Sequence, residues 1–323
     1  MITLADIEQA RRELPEQIVY TPVVAAHTFS EETGGTILLK AENLQITGSY
    51  KARAAFTVLN RLSEEQKRRG AAISSSGNFA AAFAFMGRLL GIPATVVMMQ
   101  KTSPYKAGRT RRFGAEVVFC ENRNQARWDM LAHLERERGV TAINTFEDPN
   151  VARGHGTIGL EVIEQVPDAD IVLVPVSSGG LIAGVAAAVK SLRPSVRVIG
   201  VQPEGSPAMY RSFHTGRLCE VPEPATVCDA LVAARPGLLP FEHVRRYVDD
   251  MILVSDDQAV QAVRALADTA KLVVEPGGAV GVAALQAGKI DVRGKRTVVL
   301  LSGGNVDLAH LSRYVSGSPT TEG

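Results

Sequence analysis

Short apolar runs alternate with stretches of helical spacing along nearly the whole chain, and that alternation limits the fold more than any other feature. Residues 37–40, 71–73, 94–98, 116–119, 141–143, 171–176, 196–201, 251–254 and 297–301 read as strands. Between them, helical patterns are expected at 79–90, 104–113, 123–137, 156–166, 181–192, near 207–214, and at 256–270, 278–285 and 305–312. A further helix is expected from Arg53, with Ala54, Ala55, Val58, Leu59 and Leu62 in register. A first one is expected from a Thr3 cap, with Leu4, Ile7, Ala10 and Leu14 on one face and Pro15 ending it. Strands joined through helices must cross over, which makes the sheet mainly parallel. Strands that are apolar throughout are covered on both faces. The expected class is therefore α/β. No repeat or clean linker interrupts the pattern, and the polar stretch 316–323 reads as a tail that frays.

Charge and cysteine content narrow the possible partners. A net charge of +1 over 323 residues gives no electrostatic reason to expect nucleic acid or an anionic membrane. Cys120, Cys219 and Cys228 show no C-x-x-C spacing and are expected as reduced, buried thiols of a cytoplasmic protein. The segment Met1–Asp6 lacks the basic start of a signal peptide, and no apolar run approaches the roughly 18 residues of a membrane span. The six histidines lack zinc spacing, so no metal is expected. Arg109, Arg111 and Arg112 read as a solvated helix face.

The chemistry concentrates in a few turns. In Glu42-Asn43-Leu44-Gln45-Ile46-Thr47-Gly48-Ser49-Tyr50-Lys51-Ala52-Arg53 a strand ends, a polar turn follows, and Lys51 stands at the start of a helix. A lysine there is partly desolvated, which favours its neutral, nucleophilic amine. Elsewhere, a strand, the turn Ser177-Ser178-Gly179-Gly180 and a helix from Leu181 follow one another. Open N–H groups at a helix start suit a phosphate, and glycine lets the backbone approach it; an ordinary tight turn fits the same residues. Ser75-Ser76-Gly77-Asn78 likewise closes a strand and opens a helix, as a carboxylate site or as a plain cap. Gly154-His155-Gly156-Thr157-Ile158-Gly159 spells G-x-G-x-x-G, but no strand precedes it, so the dinucleotide context fails.

Taken together, E-N-L-Q-I-T-G-S-Y-K-A-R, S-S-G-N, F-E-D-P-N-V-A-R-G-H-G-T-I-G-L-E, E-P-G-G-A and S-G-G-N resemble the threonine/serine dehydratase family of pyridoxal-phosphate (PLP) enzymes, and the likeness covers most of the chain. The resemblance implies the tryptophan-synthase-β-like fold (fold type II): two open, mainly parallel sheet domains covered by helices, with PLP in the cleft between them. It implies a small domain of residues 63–147 inserted into a large one of residues 1–62 plus 148–323. Lys51 would be the Schiff-base lysine. Tyr50, standing where the family has Phe, together with Asn78, Glu275 and Ser302, would line the cofactor. Asn78 would meet its ring hydroxyl and Ser302 its pyridine nitrogen. Ser177, Ser178, Gly179, Gly180 and Leu181 would hold the phosphate, with serines where the family has two glycines. Ser75, Ser76, Gly77, Asn78 and His155 would face the substrate, His155 replacing the family's Gln, and Phe79-Ala80-Ala81-Ala82 replacing a more polar stretch. Gln202, Ser206 and Ala208 stand where some members have acidic cation ligands.

The implied activity is elimination from a β-hydroxy amino acid, L-threonine or L-serine, to a 2-oxo acid and ammonia. Racemisation with Ser76 as a second base, elimination from another 3-hydroxy amino acid, and a PLP-binding protein without catalysis are the alternatives. A homodimer without a C-terminal regulatory domain is expected.

Overall fold

The computed structural model describes residues 1–316; the tail expected at 316–323 lies, beyond Ser316, outside the described residues. Ten strands form: β1 Val23–Ala25, β2 Thr36–Lys40, β3 Ala71–Ser74, β4 Ala94–Met99, β5 Glu116–Cys120, β6 Thr141–Ile143, β7 Ile171–Pro175, β8 Arg197–Pro203, β9 Asp250–Val254 and β10 Arg296–Leu300. They make two sheets. One has six strands in the order β1-β2-β10-β7-β8-β9, the other four in the order β5-β4-β3-β6. Every pairing is parallel except β1 with β2. The α/β expectation holds. The second sheet is built wholly from residues 71–143, between strands of the first.

All nine strands read from the apolar runs are present, with ends moved by one or two residues. Pattern reading missed β1 and the helices His27–Thr33, Glu64–Arg69 and Leu238–Tyr247. β1 is short and only half-buried, so it carries no apolar run. Glu64–Arg69 buries nothing and stands on its Ser63–Gln66 capping box. The helix expected from Arg53 begins at Lys51, that expected from residue 305 begins at Leu308, and that expected at 256–270 turns from α to π geometry at Leu266. Thr3 caps the first helix, Leu4–Glu13, with a capping box to Asp6.

The largest correction concerns the G-x-G-x-x-G segment, which lies inside the helix Pro149–Gln165 and does not open one. Its glycines are packing positions. A Cβ on Gly154 would stand 2.7 Å from Ala54 Cα, one on Gly156 2.8 Å from the Ile7 side chain, and one on Gly159 2.8 Å from the Val185 carbonyl. The three glycines let this helix press against three others: Lys51–Asn60, Leu4–Glu13 and Gly180–Leu192. Among the described residues, no helix is long and apolar enough to cross a membrane.

Because β2, β10 and β7 are neighbours and run parallel, the segments leaving their C-terminal ends emerge side by side although far apart in the chain. These are residues 41–50, 301–305 and 176–180. Ligands of open parallel sheets bind at such ends.

Candidate active site

The segments are sewn together by backbone hydrogen bonds. Tyr50 N donates to the Ser302 carbonyl at 3.1 Å, Gly304 N to the Gly48 carbonyl at 2.9 Å, and Ser49 bridges Gly303. The second sheet contributes residues 75–78, which follow β3. Asn78, the first residue of helix Asn78–Leu90, donates from Nδ2 to Glu275 Oε1 at 2.6 Å. Its Oδ1 accepts from Asn305 Nδ2 at 2.7 Å, which also donates to the Thr47 carbonyl at 2.9 Å. A Cβ on Gly303 would stand 2.6 Å from Glu275 Oε1, so glycine is needed for this approach. Asn305 and Thr47 were not among the expected site residues. Their signal was present in the sequence: an Asn directly after a strand-ending Gly-Gly, in the same style as Gly77-Asn78.

A cleft of about 1250 Å³ opens above these turns. It exceeds the roughly 300–1,000 Å³ of ordinary small-molecule pockets, which leaves room for a cofactor and a substrate together. Tyr50, Lys51, residues 75–79, His155 and residues 177–181 all line it, so most of the expected site residues are brought together. Glu275 lies at its edge, in a recess shared with Asn78 and Arg109. Ser302 is buried at the foot of its turn.

Lys51 sits at the N-terminus of its helix, where the partial positive charge of the free N–H groups disfavours an ammonium. Two rings stand beside it, Tyr50 at 4.4 Å and Phe79 at 5.8 Å from Nζ to the centroids. Burial lowers its pKa to about 8, against the pull of Glu275. The apolar bulk of Phe79 contributes to the burial that lowers this pKa. Burial, reinforced by nearby Asp229, raises Glu275 to about 7.

At the other end of the cleft, Gly179 has φ +103°, and a Cβ there would meet Met209 Cε at 2.3 Å. The positive φ calls for glycine, and the contact adds that Met209 would have to shift. Helix Gly180–Leu192 starts with no side-chain cap, so its first N–H groups face the cleft unpaired by any side chain. The turn is propped from behind: Gln202 Nε2 donates to the Ser177 carbonyl at 3.3 Å and Gly237 N to the Ser178 carbonyl at 3.1 Å. Gln202 and Ser206, considered as relics of a cation site, are occupied with these packing bonds, Ser206 Oγ donating to the Leu231 carbonyl. In the 75–78 turn, Ser76 Oγ accepts from Thr102 Oγ1 at 2.9 Å, and Gly77 N donates to Ser75 Oγ at 3.4 Å.

The structure corrects two expectations. Arg109 is not solvated: it is mostly buried, and its Nη2 donates to the Thr47 carbonyl at 2.6 Å, beside Glu275. Cys219 is half-exposed, whereas Cys120 and Cys228 are buried. His155 is wholly enclosed, against Tyr50 and beside Gly180.

These residues fit PLP. A depressed amine, an open helix N-terminus behind a φ-positive glycine, and the unpartnered hydroxyl of Ser74 on the cleft wall are the donor set that an aldehyde carrying a phosphate and polar ring groups would use. Comparison with known proteins agrees. Residues 14–303 match the family model described as "Pyridoxal-phosphate dependent enzyme". The L-threonine ammonia-lyase of Thermotoga maritima is 42% identical over 316 residues, covering 98% of this chain and 79% of that one. The solved T.th. threonine deaminase is 37% identical with a TM-score of 0.89, covering 95% of this chain and 99% of that one. Maize serine racemase is 31% identical with a TM-score of 0.92, covering 98% and 97%.

Proposed function

Because the chain belongs to the family of pyridoxal-phosphate dependent enzymes, we propose that it is an ammonia-lyase that takes a β-hydroxy amino acid, L-threonine or L-serine, to a 2-oxo acid and ammonia. The observation that carries this reading is the Lys51 amine. It is depressed to about 8, lies between two rings, and faces a cleft bounded by the helix starts at Asn78 and Gly180. The names of the relatives, an L-threonine ammonia-lyase and a threonine deaminase, support the substrate class.

Lys51 is the residue that would hold the cofactor's aldehyde. The backbone of 177–181 would hold its phosphate, Asn78 its ring hydroxyl and Ser302 its ring nitrogen, with Tyr50 and Glu275 beside it. When bound, PLP supplies an electron sink for the charge left when Cα loses its proton. The chain's own groups do the rest. The N–H and hydroxyl groups of residues 75–78 orient the substrate carboxylate. Lys51, free as pH rises above about 8, takes the Cα proton. The hydroxyl of Ser302 carries no charge, so it does not force protonation on the ring nitrogen, which favours elimination over transamination.

The cleft between the sheets supports the division into residues 63–147 and 1–62 plus 148–323. We place the protein in the cytoplasm, on its thiols without C-x-x-C spacing. We read it as a homodimer, on the exposed Leu44, Ile46, Val273 and Leu308 grouped about the contact of Asn43 with the Val273 carbonyl.

The test is a panel of L-threonine, L-serine, 3-hydroxyaspartate and phenylserine with PLP-loaded protein, reading 2-oxo acid and ammonia. Release from threonine or serine is expected. Bound cofactor with no release from any of the four would turn the reading to a binding protein. Racemisation is the second reading, because the Ser76 hydroxyl lines the same cleft as Lys51. Appearance of D-serine from L-serine would favour it.

A further inference from the structure

Among the described residues, His155 is the polar side chain whose protein surroundings satisfy it least. It is 0% exposed, and neither Nδ1 nor Nε2 makes a well-formed hydrogen bond there, the Gly180 backbone being the one hydrogen-bonding group that acts on the ring. An imidazole always carries at least one N–H to donate, and buried donors in native proteins are nearly always paired. The ring lies 4.6 Å from that of Tyr50, tilted by 53°. On the cleft side it faces the first turn of helix Gly180–Leu192: a Cβ on Gly180 would stand 3.8 Å from Nδ1.

The charged groups acting on the ring are Lys51 and Arg53, both cationic and both on helix Lys51–Asn60. Burial first, and then Lys51, hold its pKa well below the ordinary value, against a backbone hydrogen bond at Gly180 that raises it. Among the described residues, no carboxylate is in the set of groups that act on it. The ring is therefore neutral, with one donor and one acceptor. The donor stands at an uncapped helix start where an anion fits.

We propose that His155 donates a ring N–H to the cofactor's phosphate, completing the grip begun by the backbone of residues 177–181. This rests on the cofactor reading above. It adds a side-chain donor from the tightly packed helix Pro149–Gln165, in place of the glutamine that the family resemblance leads one to expect. It also moves His155 from the substrate's side of the site to the phosphate's.

Protein labelled with ¹⁵N-histidine, titrated with PLP and followed by imidazole ¹⁵N and phosphate ³¹P resonances, tests this without relying on turnover. One neutral imidazole should respond to the cofactor, and His155→Gln should remove that signal. His155→Leu should weaken PLP binding about ten-fold and move the bound ³¹P resonance. His155→Gln, which keeps a donor, should restore affinity to within about three-fold of the parent. If no imidazole signal responds while the parent protein binds PLP, the inference fails and the cofactor site stands. If the parent binds no PLP at all, the site reading itself fails. A leucine variant that folds and binds PLP as tightly as the parent also overturns the inference, as does a glutamine variant no better than leucine. Should the leucine variant not fold, the parent and glutamine spectra decide.

Discussion

Lys51 and Arg53 stand two residues apart on one helix, both largely out of water, and their surroundings are opposite. Arg53 is fully enclosed, with its guanidinium forked onto two carboxylates: Glu42 at 2.8 and 3.0 Å, and Glu161 at 2.6 and 2.9 Å. Lys40 donates to Glu161 at 2.6 Å, to the Thr21 carbonyl at 2.7 Å and to Gln165 at 2.9 Å, which uses all three of its protons. Two cations and two anions thus close a set with no charge left over. Arg53 is held charged, raised chiefly by Glu42 against the cost of burial, and the same pairing lowers Glu42. Lys51 has two rings beside it and no paired carboxylate, and burial pushes it toward neutrality against the pull of Glu275. The same contrast repeats on helix Pro149–Gln165, where Glu161 is saturated and His155 makes no well-formed bond and has only the Gly180 backbone beside it. A buried polar group with every bond made belongs to the scaffold. One left open beside a cleft awaits a ligand.

Substitutions should separate the two kinds of residue. Lys51→Ala should abolish borohydride-trappable cofactor and lower 2-oxo acid formation by about 10³-fold or more, while the melt of the cofactor-free protein stays at or above the parent's, since a buried amine has been removed. Arg53→Met should do the reverse in stability. It strands Glu42 and leaves Glu161 to Lys40 alone, at a cost of about 3–5 kcal/mol in denaturant unfolding. Equal stability losses in the two variants would erase the distinction.

The packing glycines sharpen it further. Gly184→Ala puts a Cβ 2.2 Å from the Ala152 carbonyl, which is backbone and cannot yield, so about 1–3 kcal/mol should be lost. Gly156→Ala meets only the flexible Ile7 side chain and should cost less in the same unfolding curves.

The open state of Lys51 also has a pH signature. With its pKa near 8, the amine is mostly ammonium below that pH and free above it. The rate at which cofactor-free protein takes up PLP should therefore rise with pH through a midpoint near 8; a midpoint near 10 would mean that Lys51 is solvated. The smallest effect belongs to Lys106 and Asp229, an ion pair that joins the helix Pro104–Arg112 to the turn Asp229–Leu231 across the cleft. Both partners are substantially exposed, so a double-mutant cycle should find no more than about 1 kcal/mol.

Much was legible in the sequence because it is local. Strands buried on both faces announce themselves as apolar runs, and Lys51, Gly179 and Asn78 lie in turns whose neighbours spell out strand, turn and helix start. The edge strand Val23–Ala25 and the helix Glu64–Arg69 were missed because neither buries an apolar face that pattern reading can detect. Arg53 stood within the quoted segment without being singled out, since its partners lie 11 and 108 positions away. Arg109 was assigned to water for the same reason: its acceptor, the Thr47 carbonyl, is 62 residues distant.

By itself the sequence determined the alternating elements, the turns that end them and the amine that stands at one such end, because backbone preference and hydrophobic period act over a few residues. Only the tertiary structure decided which buried charges cancel, which glycines are contact points between helices, and that His155 stands beside Gly180. Those properties depend on distances between segments that the chain brings together only when the strands of residues 36–40, 171–175 and 296–300 lie side by side.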